Sequence, residues 1–172
     1  TMGALSFMGI KNRRDPFGPL IPKVKFIRYN NHAEINKITS KTAAVILETI
    51  QGGAGFIEPK NNYLKKIKER CKKVGALLIL DEIQTGIGRT GKMFGFENYN
   101  CSPDILVYGK GLGGGLPIGA FSSSKKIMDS LKSNPIMGHI TTFGGNPVIS
   151  ASANATLKKI SSSSIMNNCI KK

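Results

Sequence analysis

The sequence contains no tryptophan, only three cysteines and only two histidines. Cys71, Cys101 and Cys169 are odd in number and form no CxxC pair, so we expect neither a disulfide framework nor a zinc site. His32 and His139 are too scattered to supply a metal cluster with the ligand sets that such sites require. This cysteine usage is typical of a reducing compartment, and we therefore expect a cytoplasmic protein.

Long hydrophobic runs are also missing. No apolar run approaches the roughly 20 residues that a membrane-spanning helix needs. The N-terminus has no basic segment ahead of an apolar core, which a signal peptide would show. We expect no signal peptide and no membrane partner.

Acidic residues are scarce: 10 acidic residues stand against 25 basic ones, which gives a formal charge of +15. Such a charge is compatible with nucleic-acid binding, but no nucleic-acid-binding module accompanies it. The basic residues are spread along the chain and are densest in residues 60–73, where they fall on the polar side of a predicted helix. We expect no nucleic-acid partner, and the charge equally suits ligands that carry phosphate or carboxylate.

Two apolar runs end in polar residues of catalytic interest. Residues 77–80 are Leu-Leu-Ile-Leu and stop at two acids, Asp81 and Glu82. Residues 105–108 run directly into Gly109-Lys110-Gly111. Both runs are typical of strands buried on two faces, although periodicity alone does not distinguish the first from a short core helix. Open α/β sheets bind ligands at the carboxyl ends of such strands. We therefore expect a carboxylate and an amine at one edge of a sheet.

The order of elements predicts the fold class. An apolar run at residues 43–47 precedes a glycine-containing loop and then a segment, residues 63–74, with apolar residues at helical spacing. Gly75 suits a left-handed helix cap, and the strand at residue 77 follows. This strand, loop, helix, strand order is typical of an α/β fold, and we predict a three-layer α/β/α architecture with a mostly parallel sheet.

The remaining segments give weaker predictions. We expect a weak strand over residues 24–29, a short polar helix over 32–41, a strand over 118–123, a short helix over 125–131 and a helix that begins at Asn146 and Pro147 and ends near residue 160.

Lys110 and Asp81 each allow two interpretations. Lys110 is either a Schiff-base lysine, with an amine whose pKa partial burial lowers, or an ordinary exposed loop lysine. Asp81 closes an apolar strand, where burial of a carboxylate is costly unless a cation or hydrogen-bond donors meet it. Asp81 either pairs with the protonated ring nitrogen of a ligand or, without a ligand, caps a neighbouring helix or pairs with Arg89.

Residues 109–114 match the glycine pattern GxGxxG of dinucleotide-binding proteins. That pattern needs its glycines to open a helix, and Gly115, Pro117 and Gly119 follow where the helix would continue. We therefore reject a dinucleotide site. A phosphate-binding P-loop is rejected too, because glycine follows Lys110 where serine or threonine is required.

Several long motifs in order resemble one enzyme family. They are DEIQTGIGRTG at 81–91, PDI at 103–105, GKGLGGGLPIGA at 109–120 and TTFGGNP at 141–147. Together they are similar to the class III aminotransferases, which are fold-type-I pyridoxal-phosphate enzymes and include the acetylornithine and ornithine transaminases. The resemblance implies that residues 1–172 are the central part of the cofactor-binding large domain, without its N-terminal part and without the C-terminal small domain.

The resemblance also implies roles by position. Lys110 matches the lysine that binds pyridoxal 5'-phosphate and shuttles a proton. Asp81 matches the acid that holds the pyridine nitrogen protonated, Gln84 the residue that bonds the phenolic oxygen, and Ile83 the residue that packs on the ring. Thr142 matches a threonine that reaches the cofactor phosphate of the partner subunit, so a homodimer is implied.

The implied reaction moves an amino group from an ω-amino acid or an N-acylated ornithine to a 2-oxo acid. Many members of the family carry a glutamate at the position of Gly53, and its absence leaves the amino donor open. Two alternatives remain at this point: another fold-type-I enzyme, such as an aminomutase or a decarboxylase, and a non-catalytic basic binding module.

Overall fold

The protein is described by a computed structural model, which covers residues 1–162 and 164–171. The strands are β1 (Ala44–Glu48), β2 (Leu77–Asp81), β3 (Ile105–Gly109) and β4 (Gly119–Ser123). They form one sheet in the order β1-β2-β3-β4. The first three strands are parallel and β4 pairs antiparallel to β3, which confirms the α/β class and the mostly parallel sheet.

The described helices lie before, between and after these strands in the chain. They are α1 (Met2–Ser6), α2 (Lys11–Arg14), α3 (Tyr63–Val74), α4 (Lys125–Met128), α5 (Pro147–Ser161) and α6 (Ile165–Ile170). Short 3₁₀ helices occur at Asp15–Phe17, His32–Lys37, Gly95–Tyr99, Lys110–Gly113 and Asp129–Leu131. In the described residues 1–162 and 164–171, no helix is long and apolar enough to cross a membrane.

Helix α3 forms because its apolar residues recur on one side. Tyr63, Leu64 and Ile67 are each at most 1% exposed and pack with Leu78 and Leu80 of β2, which are fully buried. The helix ends at Gly75, whose φ of 80° is the left-handed cap that the sequence predicts. This packing holds β2 in place, so that its last residues lie at the carboxyl ends of the parallel strands.

Helix α5 holds the segment that follows β3. Pro147 occupies its first turn, and the Asn146 side chain accepts hydrogen bonds from the Val148 and Ile149 N–H groups. Its residue Ala153 packs with Ile87 and Leu112 in a second apolar cluster. The start and the end of α5 thus agree with the sequence, and its packing seats the 3₁₀ helix Lys110–Gly113 against the rest of the fold.

The predicted strand over residues 24–29 is wrong. Side-chain hydrogen bonds hold this region in place of a strand ladder: Tyr29 donates its hydroxyl to the Thr49 carbonyl oxygen, and the Arg28 N–H donates to Glu34. Lys23 has a φ of 63°, which interrupts an extended backbone just before the segment. The helix predicted over 32–41 is present as the 3₁₀ helix His32–Lys37.

Candidate active site

A cleft of about 500 Å³ lies at the carboxyl ends of β1, β2 and β3. In the sheet, Asp81 of β2 lies opposite Glu48 of β1 on one side and opposite Val107 of β3 on the other, so the ends of the three strands meet at the cleft. The lining comes from three segments, namely residues 50–56, residues 83–90 and the pair Lys110 and Gly111. This is the edge at which the sequence predicts a ligand site.

Lys110 lies in the cleft and points its amine at a predicted site residue. Its Nζ atom donates a hydrogen bond of 3.1 Å to Oε1 of Gln84. Its backbone has a φ of 43°, in the left-handed region that a non-glycine residue rarely adopts and that occurs often at functional sites. The side chain is exposed in the described chain, so the partial burial that one of the two interpretations of Lys110 invokes is not seen there.

Lys110 starts a single 3₁₀ turn rather than a long helix, because Gly114 follows it with a φ of 58°. That geometry agrees with the rejection of a dinucleotide-binding glycine loop. The preceding Gly109, the last residue of β3, allows a close approach to the residue before β4: a Cβ atom there would lie 2.8 Å from the Ile118 carbonyl oxygen.

Asp81 is the last residue of β2 and is partly buried. Its Oδ1 atom accepts a 2.9 Å hydrogen bond from the Ile83 N–H, so the carboxylate braces the turn that carries Ile83 and Gln84. Within residues 1–162 and 164–171 no ion pair joins Asp81 to Arg89, which disfavours that interpretation. Asp81 lies beside the lining of the cleft rather than in it.

Ile83 and Gln84 both line the cleft, as does Arg89. The Gln84 side chain lies against Gly52: a Cβ atom at position 52 would be 2.7 Å from the Gln84 amide atoms. The Gly52 N–H donates to Oε2 of Glu48 at 2.9 Å, which fixes the glycine loop at the end of β1. Gly53 faces open space, because a methyl group at that position would meet nothing within 4 Å.

Thr142 does not join this cleft. It is exposed and lies in the segment between the 3₁₀ helix Asp129–Leu131 and α5. The structure therefore brings together Lys110, Ile83 and Gln84, with Asp81 adjacent, and leaves Thr142 apart from them.

Sequence reasoning missed Glu82, which is fully buried next to the cleft. A signal was present, because Leu78, Leu80 and Glu82 alternate onto one side of the chain and the first two are core residues. An acidic side chain that continues the buried side of a strand loses its water, so its carboxylate needs hydrogen-bond donors from within the protein. Gly52 was also missed, since only the fold shows that Gln84 lies against it.

Burial changes the acid–base behaviour of neighbouring groups. Burial, followed by the nearby Tyr99 and Tyr63 hydroxyls, raises the pKa of Tyr29 above its usual range, which keeps this hydroxyl a donor to Thr49. Burial also raises the pKa of the Cys71 thiol to about 11, so this cysteine is a poor nucleophile at neutral pH. In the described part of the chain, no group of three His, Cys, Asp or Glu residues could hold a metal ion.

Residues in the cleft and directly beside it fit pyridoxal phosphate. The group needs an amine for its aldehyde carbon, a carboxylate for its ring nitrogen and a polar neighbour for its phenolic oxygen. Lys110, Asp81 and Gln84 supply these three chemical types from adjacent strand ends. The apolar Ile83 beside them suits an aromatic ring face.

Comparisons with known proteins point to one family. The aminotransferase class-III family matches residues 1–172. A [LysW]-aminoadipate semialdehyde/glutamate semialdehyde transaminase from Sulfurisphaera tokodaii is 41% identical over 166 residues, which are 96% of this chain and 42% of that protein. The chain thus spans less than half the length of the curated relatives that it matches.

Solved structures give the same result. An ornithine aminotransferase from Toxoplasma gondii, with partial occupancy of pyridoxal phosphate at its active site, has a TM-score of 0.84 and 35% identity, over 98% of this chain and 38% of that one. An N-acetylornithine aminotransferase from Stenotrophomonas maltophilia has a TM-score of 0.72 and 37% identity, over 84% of this chain and 36% of that one. Class-III aminotransferases depend on pyridoxal phosphate. This chain belongs to the class-III aminotransferase family.

Proposed function

We propose that residues 1–172 are the central part of the cofactor-binding large domain of a pyridoxal-phosphate-dependent transaminase. The observation that carries the proposal is the contact between the Lys110 amine and Gln84 at the carboxyl ends of β2 and β3. The match of a single family to the whole chain supports it, together with relatives more than twice as long. The N-terminal part of the domain and a C-terminal small domain would complete the enzyme.

Pyridoxal phosphate supplies, when bound, an aromatic ring that draws electrons from the carbon next to the substrate nitrogen. The Nζ atom of Lys110 would bind the cofactor and afterwards hold or release a proton next to that carbon. Gln84 would orient the ring through its side-chain amide, and Ile83 would cover one ring face and exclude water.

Asp81 would hold a proton on the ring nitrogen. A carboxylate beside a protonated nitrogen favours the charged form of that nitrogen. The hydrogen bond from Ile83 N–H fixes one carboxylate oxygen, and within residues 1–162 and 164–171 no hydrogen bond engages the other, which would meet such a partner. Asp81 would therefore act through charge, without itself taking up the proton.

For substrates, we propose an amino donor that is an ω-amino acid or an N-acylated ornithine, and a 2-oxo acid as acceptor. The support is the kind of relative found, since their names specify amino-acid semialdehydes, ornithine and N-acetylornithine. The net charge of +15 suits such anionic substrates. Gly53 leaves open space where many members of the family carry a glutamate, so the choice among donors is set elsewhere in the enzyme.

A homodimer is part of the proposal. Thr142 is exposed and lies outside the cleft of its own chain, and we propose that it serves the cofactor of another subunit. Large apolar side chains around it are exposed, and such patches mark interaction surfaces. They are Ile136 (82% exposed), Met137 (66%), Ile140 (69%), Phe143 (78%) and Val148 (68%). We further propose a cytoplasmic location, with neither nucleic acid nor membrane as partner.

The test uses the full-length protein with pyridoxal phosphate, N-acetylornithine or ornithine, and 2-oxoglutarate. We expect glutamate and the semialdehyde in equal amounts, and no product with Lys110→Ala. Carbon dioxide release without glutamate would indicate a decarboxylase, and an isomer of the amino acid formed without an oxo-acid acceptor would indicate a mutase. Salt-sensitive nucleic-acid binding without any cofactor uptake would indicate a basic binding module.

A further inference from the structure

Glu82 carries a carboxylate that is 0% exposed. Burial of such a group is costly unless hydrogen bonds replace its water. Four donors do so here: Thr49 Oγ1 (2.5 Å) and Phe96 N (2.7 Å) bond Oε1, and Thr85 Oγ1 (2.5 Å) and Gly95 N (2.8 Å) bond Oε2.

These four donors belong to three separate parts of the chain. Thr49 follows β1, Thr85 lies in the turn after β2, and Gly95 and Phe96 begin the 3₁₀ helix Gly95–Tyr99. The backbone of Glu82 is fixed as well, because its N–H donates to the Val107 carbonyl oxygen at 2.7 Å and its own carbonyl accepts from Gly86 N–H at 2.8 Å. Residue 82 is thus joined to both neighbouring strands and to the loop beyond the cleft.

The residues on either side of Glu82 are those that face the cofactor in the proposed function. Asp81 precedes it, and Ile83 and Gln84 follow it. We propose that Glu82 is a positioning residue: its buried hydrogen bonds hold the turn so that Asp81 and Gln84 keep their places relative to Lys110. This inference rests on the proposed function, and Glu82 itself lies outside the lining of the cleft.

Glutamine cannot replace this glutamate, although it has nearly the same shape. Each carboxylate oxygen accepts from one hydroxyl and one backbone N–H. The hydroxyls can rotate to accept a hydrogen bond from an amide NH₂ group, but a backbone N–H can only donate. In either orientation, the amide nitrogen of a glutamine would face the N–H of Gly95 or Phe96. One side of the network must therefore move.

The experiment compares three variants of the full-length enzyme. Glu82→Gln disrupts the network, and Thr49→Val removes one of the four donors while keeping the side-chain shape. Glu97→Gln is the matched control, because Glu97 is exposed on the same loop and caps the Phe94 N–H through one oxygen that an amide retains. The measurements are the affinity for pyridoxal phosphate, the pH midpoint of the bound cofactor's absorbance at saturation, and the thermal unfolding midpoint.

For Glu82→Gln we expect the affinity to fall roughly tenfold or more, since a buried hydrogen-bond donor or acceptor is left unmatched. We also expect the absorbance midpoint to shift by about half a pH unit or more, because the charges beside the cofactor move. Thr49→Val should shift both quantities in the same direction by less, and Glu97→Gln should match the wild type.

A purely structural role predicts a different result. Glu82→Gln would then unfold at lower temperature, yet would show the wild-type absorbance midpoint and kcat once saturated, and this outcome would overturn the proposal. If Glu82→Gln does not fold, an unchanged midpoint in Thr49→Val overturns it instead. Failure of the wild type to bind the cofactor at Lys110 would refute the proposed function first, before any variant is compared, and this inference with it.

Discussion

At the scale of single residues, Gly52 shows how a missing side chain shapes the cleft. The Gln84 amide occupies the space where a methyl group at position 52 would lie, at 2.7 Å. The atoms in conflict are the end of a flexible side chain, so a methyl group would move Gln84 rather than the backbone. Gly52 therefore affects the orientation of Gln84 toward Lys110 and has little to do with stability.

Gly52→Ala is expected to weaken cofactor binding about tenfold, because a displaced Gln84 amide would no longer bond the phenolic oxygen of the cofactor and orient its ring. Titration of the full-length enzyme with pyridoxal phosphate measures this loss, and the thermal unfolding midpoint should stay within about 2 °C of the wild type. Gly53→Ala is the control, since a methyl group there meets nothing within 4 Å. Equal affinities for the two variants would contradict the role of Gly52.

The sequence alone could single out Lys110 and Asp81 as candidates, because each follows an apolar run that stops at a charged group. Their roles, like those of Ile83, Gln84 and Thr142, come from resemblance and stay predictions. The alternation of Leu78, Leu80 and Glu82 could have indicated that Glu82 is buried, but the partners of Glu82 and the contact of Gly52 could not be assigned, because they join segments far apart in the chain. The Glu82 contact to Thr49 joins residues 33 positions apart.

At the scale of secondary-structure elements, Asp104 connects β2, α3 and β4 at the end of the sheet that is opposite the cleft. Its carboxylate accepts from the Leu78 N–H at the start of β2 and from the Lys68 amine of α3, each at 2.7 Å. Its carbonyl oxygen accepts from the Ser123 hydroxyl at the end of β4. Partial burial acts to raise the pKa of Asp104, but the hydrogen bonds from Leu78 and Lys68 outweigh it and lower the pKa.

A carboxyl with a lowered pKa stabilises the fold above its unfolded-state pKa, and this contribution is lost as the pH falls through the folded-state value. We expect Asp104→Asn to cost about 0.5–1 kcal/mol at pH 7, a value discounted for the partial exposure of the pair, and to cost progressively less below about pH 4. Urea unfolding of the wild type and the variant, each as the full-length protein, measures this difference in the free energy of unfolding over the pH range. Asp15→Asn, at an exposed ion pair, is the control, and an Asp104→Asn loss that persists undiminished to about pH 2 would refute the account.

Element predictions succeeded where burial and propensity agree. The helix over 63–74 has both an apolar face and a glycine stop, and the structure gives it the same limits. The strand over 24–29 failed because its alternation is weak and side-chain hydrogen bonds to Thr49 and Glu34 replace strand pairing. The antiparallel direction of β4 depends on the short connection after Lys110, which strand propensity alone does not specify.

At the scale of the whole molecule, the segment around Thr142 presents apolar side chains that the described chain does not cover. We expect the full-length enzyme to be a homodimer by light scattering, because burial of these side chains between subunits is favourable. Thr142→Val should weaken cofactor binding roughly tenfold without dissociating the dimer, through loss of one hydrogen bond to the phosphate. Thr141→Val is the neighbouring control, and a monomeric enzyme with full cofactor affinity would exclude this arrangement.

The central claim is that the Lys110 amine binds the cofactor. The most direct measurement treats the full-length protein with pyridoxal phosphate and borohydride, and then locates the added pyridoxyl mass by peptide mass spectrometry. The account predicts that the added mass is on Lys110 and absent in Lys110→Ala. Modification of a different lysine in the wild type, or no stable modification at all, would contradict it.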